Sequence, residues 1–358
     1  MACFHPLKAF KIGTNPSGKD NLMVCAYGVH HLEQRKGHIC KIDSDQISDY
    51  AEKVYLDFKE IPCGHCDGCR IDRSRDWANR CMLELEYHKE AWFVTLTYND
   101  EHLPYGKTVD ESTGELIEVP TLSKRDWQLF MKRLRKLTGQ ELRFFMCGEY
   151  GPKTYRPHYH AIIYGLYLDD IKPFSQRMLG KKVYQYYVSD SLQKAWSVVQ
   201  FDCQGAKVRS PLGHVLLGKV TWETCAYVAR YCLKKAYGSA AEIMKQFGLT
   251  PEFVLMSRRP GIARQWYDDH PDCYDYDFIN ISTDAGGKKV RPPKYFDRLF
   301  DVDQPDVMAQ LKEKRQMFAE QQKKARLEAT SLTYPELLKV QEQNFKNRVK
   351  TLKKRDLI

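Results

Sequence analysis

Arg156-Pro157-His158-Tyr159-His160-Ala161-Ile162-Ile163-Tyr164 reads as a β-strand that carries two histidines one residue apart. Side chains alternate across a strand, so His158 and His160 share one face while Tyr159 and Ala161 share the other. Two imidazoles then converge on one point. Their neutral nitrogens suit a divalent ion, and the apolar side anchors the strand in a core. A His-x-His pair is a weak signal alone in a chain with 11 histidines, so its surroundings decide its meaning.

Upstream, Leu142 to Cys147 reads as a strand that ends in Gly148-Glu149-Tyr150-Gly151-Pro152. A basic, proline-containing loop leads back to the histidines, so the two strands form an antiparallel pair with Glu149 at the end nearest His158. A carboxylate beside two imidazoles makes a three-donor N,O set, which favours Mg²⁺ or Mn²⁺ over a closed thiolate cage. Trp92 to Tyr98 is a further strand, ended by Asn99-Asp100, with Thr95 and Thr97 on one face. Ser74 to Glu90 reads as a helix capped by Ser74, with Trp77, Ala78, Cys81, Met82 and Leu85 at helical spacing. Ser123-Lys124-Arg125-Asp126 opens another helix, whose apolar stripe is Trp127, Phe130, Met131, Leu134 and Leu137. Lys132, Arg133, Arg135 and Lys136 make its other side basic, either a solvated face or a nucleic-acid contact.

Beyond the histidines, Tyr184, Tyr186 and Tyr187 mark a linker, Ser189 to Val199 a helix, and His214 to Val220 a strand. Thr221 to Lys235 is a helix on which Tyr227, Tyr231 and Lys234 fall at i, i+4 and i+7, with Arg230 beside them. Cys225, Val228, Ala229 and Cys232 can pack inward. Tyrosines at helical spacing usually belong to a core, but this face is basic as well. A tyrosine hydroxyl can attack a phosphodiester when a metal ion polarises the phosphoryl oxygens. Two tyrosines on one face allow one to hold a cut end while the other attacks the next junction.

The remainder sets the frame. The chain has 358 residues, a net charge of +10 and twelve cysteines. That length allows one large domain or two modest ones, and the charge points to an anionic partner, nucleic acid first. The scattered cysteines and the lack of a signal-peptide pattern in Met1 to Phe10 predict free thiols in a reducing cytoplasm. No apolar run approaches the ~18 residues that would cross a bilayer, so no membrane role is expected. Residues 1–72 form an irregular or short-stranded segment that ends in a knuckle, Pro62-Cys63-Gly64-His65-Cys66-Asp67-Gly68-Cys69-Arg70. Cys63, Cys66 and Cys69 can present thiolates to Zn²⁺ or an iron–sulfur cluster, or form a plain turn. His65, Cys81 and Cys40 are the candidates for a fourth ligand, none at a standard spacing. Residues 73–240 hold the chemistry, and residues 241–358 form an accessory region with a basic helical tail. Within that region Ser257 to Gly261, with Trp266 and Tyr267, is either a phosphate and base-stacking contact or an ordinary loop. The tail is open to three roles: packing on the catalytic domain, gripping DNA, or binding a host partner such as a replication helicase or polymerase.

In this order the knuckle, the strand Phe93 to Tyr98, the Gly148-Glu149 turn, the His158-Tyr159-His160 strand and the Tyr227/Tyr231 helix resemble the HUH endonucleases. The likeness is greatest to the rolling-circle replication initiators of gokushovirus-type microviruses. It implies an α+β fold, RRM or ferredoxin-like, with a central antiparallel sheet flanked by helices. It also implies metal ligands at His158, His160 and Glu149, alternating nucleophiles at Tyr227 and Tyr231, and Mg²⁺ or Mn²⁺ as the ion. Lys234 would support the reaction, and Arg156, Arg230 and Lys235 would contact DNA. The substrate would be origin single-stranded DNA in the host bacterial cytoplasm. Tyr231-Cys232-Leu233-Lys234 also fits the single-tyrosine form of the motif. Two rival readings remain: a noncatalytic zinc-containing nucleic-acid-binding protein, and an HUH transposase or relaxase.

Overall fold

The computed structural model describes residues 3–16, 18–109, 112–179, 182–230, 239–283 and 286–355. It divides the chain into two units, Arg73–Pro305 and Met1–Asp72 with Asp306–Ile358. The fold class is α+β, as the pattern implied.

In the larger unit, seven described strands form one antiparallel sheet. Their order is Ile171–Leu179, Lys182–Ser189, Val215–Lys219, Ala91–Thr97, Pro157–Tyr164, Arg143–Tyr150 and Phe253–Met256. The histidine strand Pro157–Tyr164 lies inside this sheet, and both of its faces are covered. On one side Tyr159, Ala161 and Ile163 pack with Trp127, Phe130, Met131 and Leu134 of helix Lys124–Thr138. On the other, Ile162 and Tyr164 pack with Ala78 and Cys81 of helix Asp67–Leu85 and with Cys225, Val228 and Ala229 of helix Trp222–Arg230. Each fully buried aliphatic or aromatic side chain contributes about 2 kcal/mol, several times an exposed ion pair such as Arg264–Asp268. Burial therefore sets the architecture.

One polar network pins the histidine strand to its neighbours. The Tyr159 hydroxyl donates to the Ser123 carbonyl at 2.8 Å and accepts the Ser123 N–H at 3.0 Å. Tyr98, 2.8 Å from that hydroxyl, donates to Asp126 at 2.7 Å. Ser123 in turn caps helix Lys124–Thr138 by accepting from the Asp126 N–H at 3.2 Å.

Several local expectations change. The helix expected from Ser74 starts at Asp67, because the Arg70 N–H already reaches the Cys66 carbonyl at 2.9 Å. Glu149 stands within a strand that runs on to Tyr150 rather than in a turn. Tyr184, Tyr186 and Tyr187 belong to strand Lys182–Ser189, not to a linker. The helix expected over Ser189 to Val199 is the short Asp190–Ala195, followed by strand Ser197–Phe201. Leu137, assigned to an apolar stripe, is exposed. Trp266 and Tyr267 are buried, with Trp266 stacked on His270 at 3.9 Å, so they build core and are no platform for bases.

The smaller unit carries two three-stranded sheets. One orders Asp20–Ala26, Leu7–Thr14 and Phe58–Ile61; the other orders His38–Ile42, His31–Arg35 and Lys53–Tyr55. Phe10, Cys25, Val29 and Leu32 form an apolar cluster there. Helices Pro305–Glu328 and Tyr334–Arg355 complete the unit and agree with the helical tail expected from the sequence.

Tyr159→Phe removes a buried hydroxyl with three partners, so it should cost about 1–3 kcal/mol and lower the Tm by several degrees in calorimetry. A Tm within one degree of the unaltered protein would show that the network does not hold the strand.

Candidate active site

Strand pairing brings the three predicted metal ligands together. Glu149 stands directly opposite His158, and directly opposed residues share a face, so Glu149, His158 and His160 all point the same way. Glu149 Oε1 lies 3.0 Å from His158 Nε2 and 3.1 Å from His160 Nε2. Donor atoms about 2.1 Å from an octahedral ion stand about 3.0 Å apart when adjacent, so the spacing fits a hard divalent cation. The second ring nitrogens account for the orientation. His158 Nδ1 faces the Arg156 carbonyl at 3.1 Å, and His160 Nδ1 faces Thr95 Oγ1 at 2.9 Å. With Nδ1–H donated to those oxygens, both Nε2 lone pairs turn toward the carboxylate, the tautomer a metal requires.

Glu149 and His160 are buried and His158 is half-buried. Burial alone would raise the Glu149 carboxyl, but hydrogen bonds and charge from His158 and His160 outweigh it and hold its pKa down to about 2. Gly148 makes the position accessible: a Cβ there would lie 3.0 Å from the Phe253 ring and 3.2 Å from Leu122.

Tyr227 enters from helix Trp222–Arg230. That helix is held by Cys225, Val228 and Ala229, all buried, and by Trp222 Nε1, which donates to Asn79 Oδ1 at 3.2 Å. The Tyr227 hydroxyl lies 3.5 Å from His160 Nε2, and the two rings meet edge to face at 5.1 Å between centroids. Phe93 supports both, stacked on His160 at 5.5 Å and edge-on to Tyr227 at 6.1 Å. The Arg230 guanidinium stands 5.3 Å from the Tyr227 ring. Arg156, expected at the DNA, pairs with Asp100 at 2.5 Å and donates to the Tyr98 carbonyl. Tyr231, Lys234 and Lys235 lie outside the described residues. Thr95 and Phe93 were not picked out as site residues; their signal was that they share, at a period of two, the face the strand turns to the histidines.

The cysteine knuckle gathers separately in the smaller unit. Cys63, Cys66 and Cys69 come together with Cys3, all four sulfurs within 4.8 Å of one another. Cys3 takes the place for which His65, Cys81 and Cys40 were candidates: His65 is exposed and Cys81 sits in the core of the larger unit.

Known proteins place this geometry in context. Residues 91–236 match the family described as Replication-associated protein ORF2, a span that holds all the candidate residues except the cysteines. The chain is 29% identical over 360 aligned positions to Replication-associated protein ORF2 of Spiroplasma virus 4, covering 98% of this chain and 97% of that one. It is 27% identical to Replication-associated protein VP4 of Bdellovibrio phage phiMH2K over 69% of each chain. With Replication-associated protein ORF4 of Chlamydia phage 1 it shares 30% identity over 49% of this chain and 38% of that one. No solved structure matches. The likenesses describe a replication-associated protein. More narrowly, relatives from three microviruses support a microvirus-type replication initiator, the group that the sequence motifs resemble.

The depressed Glu149 pKa has a signed consequence. A carboxylate whose pKa falls from the unfolded ~4.3 to about 2 on folding stabilises the fold above that range and loses the contribution as pH drops through it. The Tm advantage over Glu149→Gln should therefore be constant near neutrality and shrink between about pH 4 and pH 2. An advantage that does not change over this range would contradict the assignment.

Proposed function

We propose that the chain initiates rolling-circle replication of a small single-stranded DNA phage as a nicking and joining enzyme of the HUH class. The observation that supports it best is the Tyr227 hydroxyl, 3.5 Å from His160 Nε2 and thus beside a three-donor N,O cluster. In this reading the phenol loses its proton to solvent and its oxygen attacks the scissile phosphorus. The P–O3′ bond breaks, a 3′-hydroxyl leaves, and the 5′-phosphate stays on the tyrosine. Rejoining is the reverse, with a 3′-hydroxyl attacking the phosphotyrosine. Mg²⁺ or Mn²⁺ held by Glu149, His158 and His160 would polarise the phosphoryl oxygens and offset their charge. Thr95 and the Arg156 carbonyl keep both imidazoles oriented, and Arg230 supports negative charge beside Tyr227. Tyr231 is the second nucleophile of the reading, Lys234 a supporting cation, and Arg156 and Lys235 contacts to the DNA backbone.

The names of the relatives favour replication over the transposase or relaxase reading. The setting proposed is the host bacterial cytoplasm, with origin single-stranded DNA as substrate and a host helicase or polymerase as partner. Among the described residues no helix is long and apolar enough to cross a membrane.

Incubation with origin-containing single-stranded DNA and Mn²⁺ should yield a denaturant-resistant protein–DNA species. Changing Tyr227 and Tyr231 together to Phe should abolish it while DNA binding survives. His158→Ala with His160→Ala should slow its formation at least ~100-fold. Binding to DNA with no tyrosine ever attached would leave a noncatalytic nucleic-acid-binding protein instead.

A further inference from the structure

We propose that Cys3, Cys63, Cys66 and Cys69 form a closed tetrathiolate Zn²⁺ site with a structural role, in which Cys3 supplies the fourth ligand. Cys3 Sγ lies 3.6 Å from Cys63 Sγ and 3.8 Å from Cys66 Sγ. Four thiolates at about 2.3 Å around a tetrahedral zinc stand about 3.8 Å apart, so the sulfurs already occupy the corners of such a shell. A disulfide would need about 2.0 Å, far inside these separations. An iron–sulfur cluster, whose irons each take one cysteine on its outer side, would spread the sulfurs further than the 4.8 Å within which all four lie.

The surrounding backbone serves thiolates rather than thiols. Cys63 Sγ receives the N–H groups of His65 at 3.5 Å and Cys66 at 3.3 Å. Cys66 Sγ receives the Phe4 N–H at 3.3 Å, and Cys3 Sγ receives the Cys63 N–H, also at 3.3 Å. N–H donors aimed at sulfur offset the negative charge that four thiolates bring to one divalent ion. Gly64, at a φ of 79°, supplies the left-handed turn that lets His65 and Cys66 face back toward Cys63. Cys69 joins from the first turn of helix Asp67–Leu85.

Four sulfur donors leave no position for a substrate, which separates this site from the N,O cluster around Glu149 and gives it the character of a structural zinc. Its place in the chain explains what it would do. Cys3 and Cys63 are 60 residues apart, and the short strands from Leu7 to Ile61 lie between them. An ion joining both ends closes that segment and adds to a modest apolar cluster the binding energy small units commonly require.

The test uses the full chain purified under reducing conditions without chelator, in a His158→Ala/His160→Ala background so that the other cluster does not contribute metal. Elemental analysis should find zinc near one per chain. Cys3→Ser should weaken zinc binding at least ~10-fold, and Cys40→Ser should leave it unchanged. If Cys3→Ser does not fold, Co²⁺ substitution of the otherwise unaltered chain should give the sulfur-to-cobalt charge-transfer intensity of four thiolates. Alkylation with mass spectrometry should then show Cys3, Cys63, Cys66 and Cys69 protected together and released together by chelator, with exposed Cys203 reactive throughout. No zinc, iron in its place, a three-thiolate cobalt spectrum, or Cys3 alkylated as fast as Cys203 with zinc bound would each overturn the proposal.

Discussion

The register of one antiparallel pair governs everything at the candidate site. Glu149 faces His158 and Cys147 faces His160 across the same two strands, while Thr95 pairs with His160 from the other side. Strand side chains alternate, so a slip of one residue would send both imidazoles into the packing of Trp127 and Phe130 and bring Tyr159 and Ala161 to the metal face. Burial of large side chains on both faces penalises that slip heavily. The hydroxyl of Tyr159, bonded to both backbone groups of Ser123, adds a directional constraint that area alone does not provide. The same alternation thus builds the core on one face and the ligand set on the other.

This also explains what the sequence revealed and what it concealed. A period of two was readable in Pro157–Tyr164, so the paired histidines and the apolar anchor were visible at once. Glu149 was legible as a ligand but assigned to a turn, since Gly148 weakens any strand signal. The strand continues because Gly148 pairs with Phe253, whose ring leaves no room for a Cβ. The start of helix Asp67–Leu85 was hidden because Ser74 offered a side-chain cap, whereas Asp67 and the Cys66 carbonyl begin the helix a full two turns earlier. Lys182–Ser189 passed for a linker because its three tyrosines do not alternate cleanly; its pairing with Ile171–Leu179 is a tertiary fact. Cys3 left no local trace. A ligand 60 residues from its partner has no spacing rule to announce it.

Tyr227 shows how a helix can bring a reactive group to such a strand without a flexible arm. Cys225, Val228 and Ala229 are buried against Phe93, Phe145, Cys147 and Ile162, which fixes the rotation of the helix about its axis. At about 100° per residue, Tyr227 then falls one step from Val228, at the margin of the buried stripe. A tyrosine in the middle of that stripe would be core, and one on the far side would reach only solvent. At the margin its ring packs on Phe93 and His160 while its hydroxyl stays at the ligand cluster. The strand that bears the histidines and the helix that bears the phenol are therefore set by one apolar cluster, so their separation is a consequence of packing and needs no hinge to bring them together.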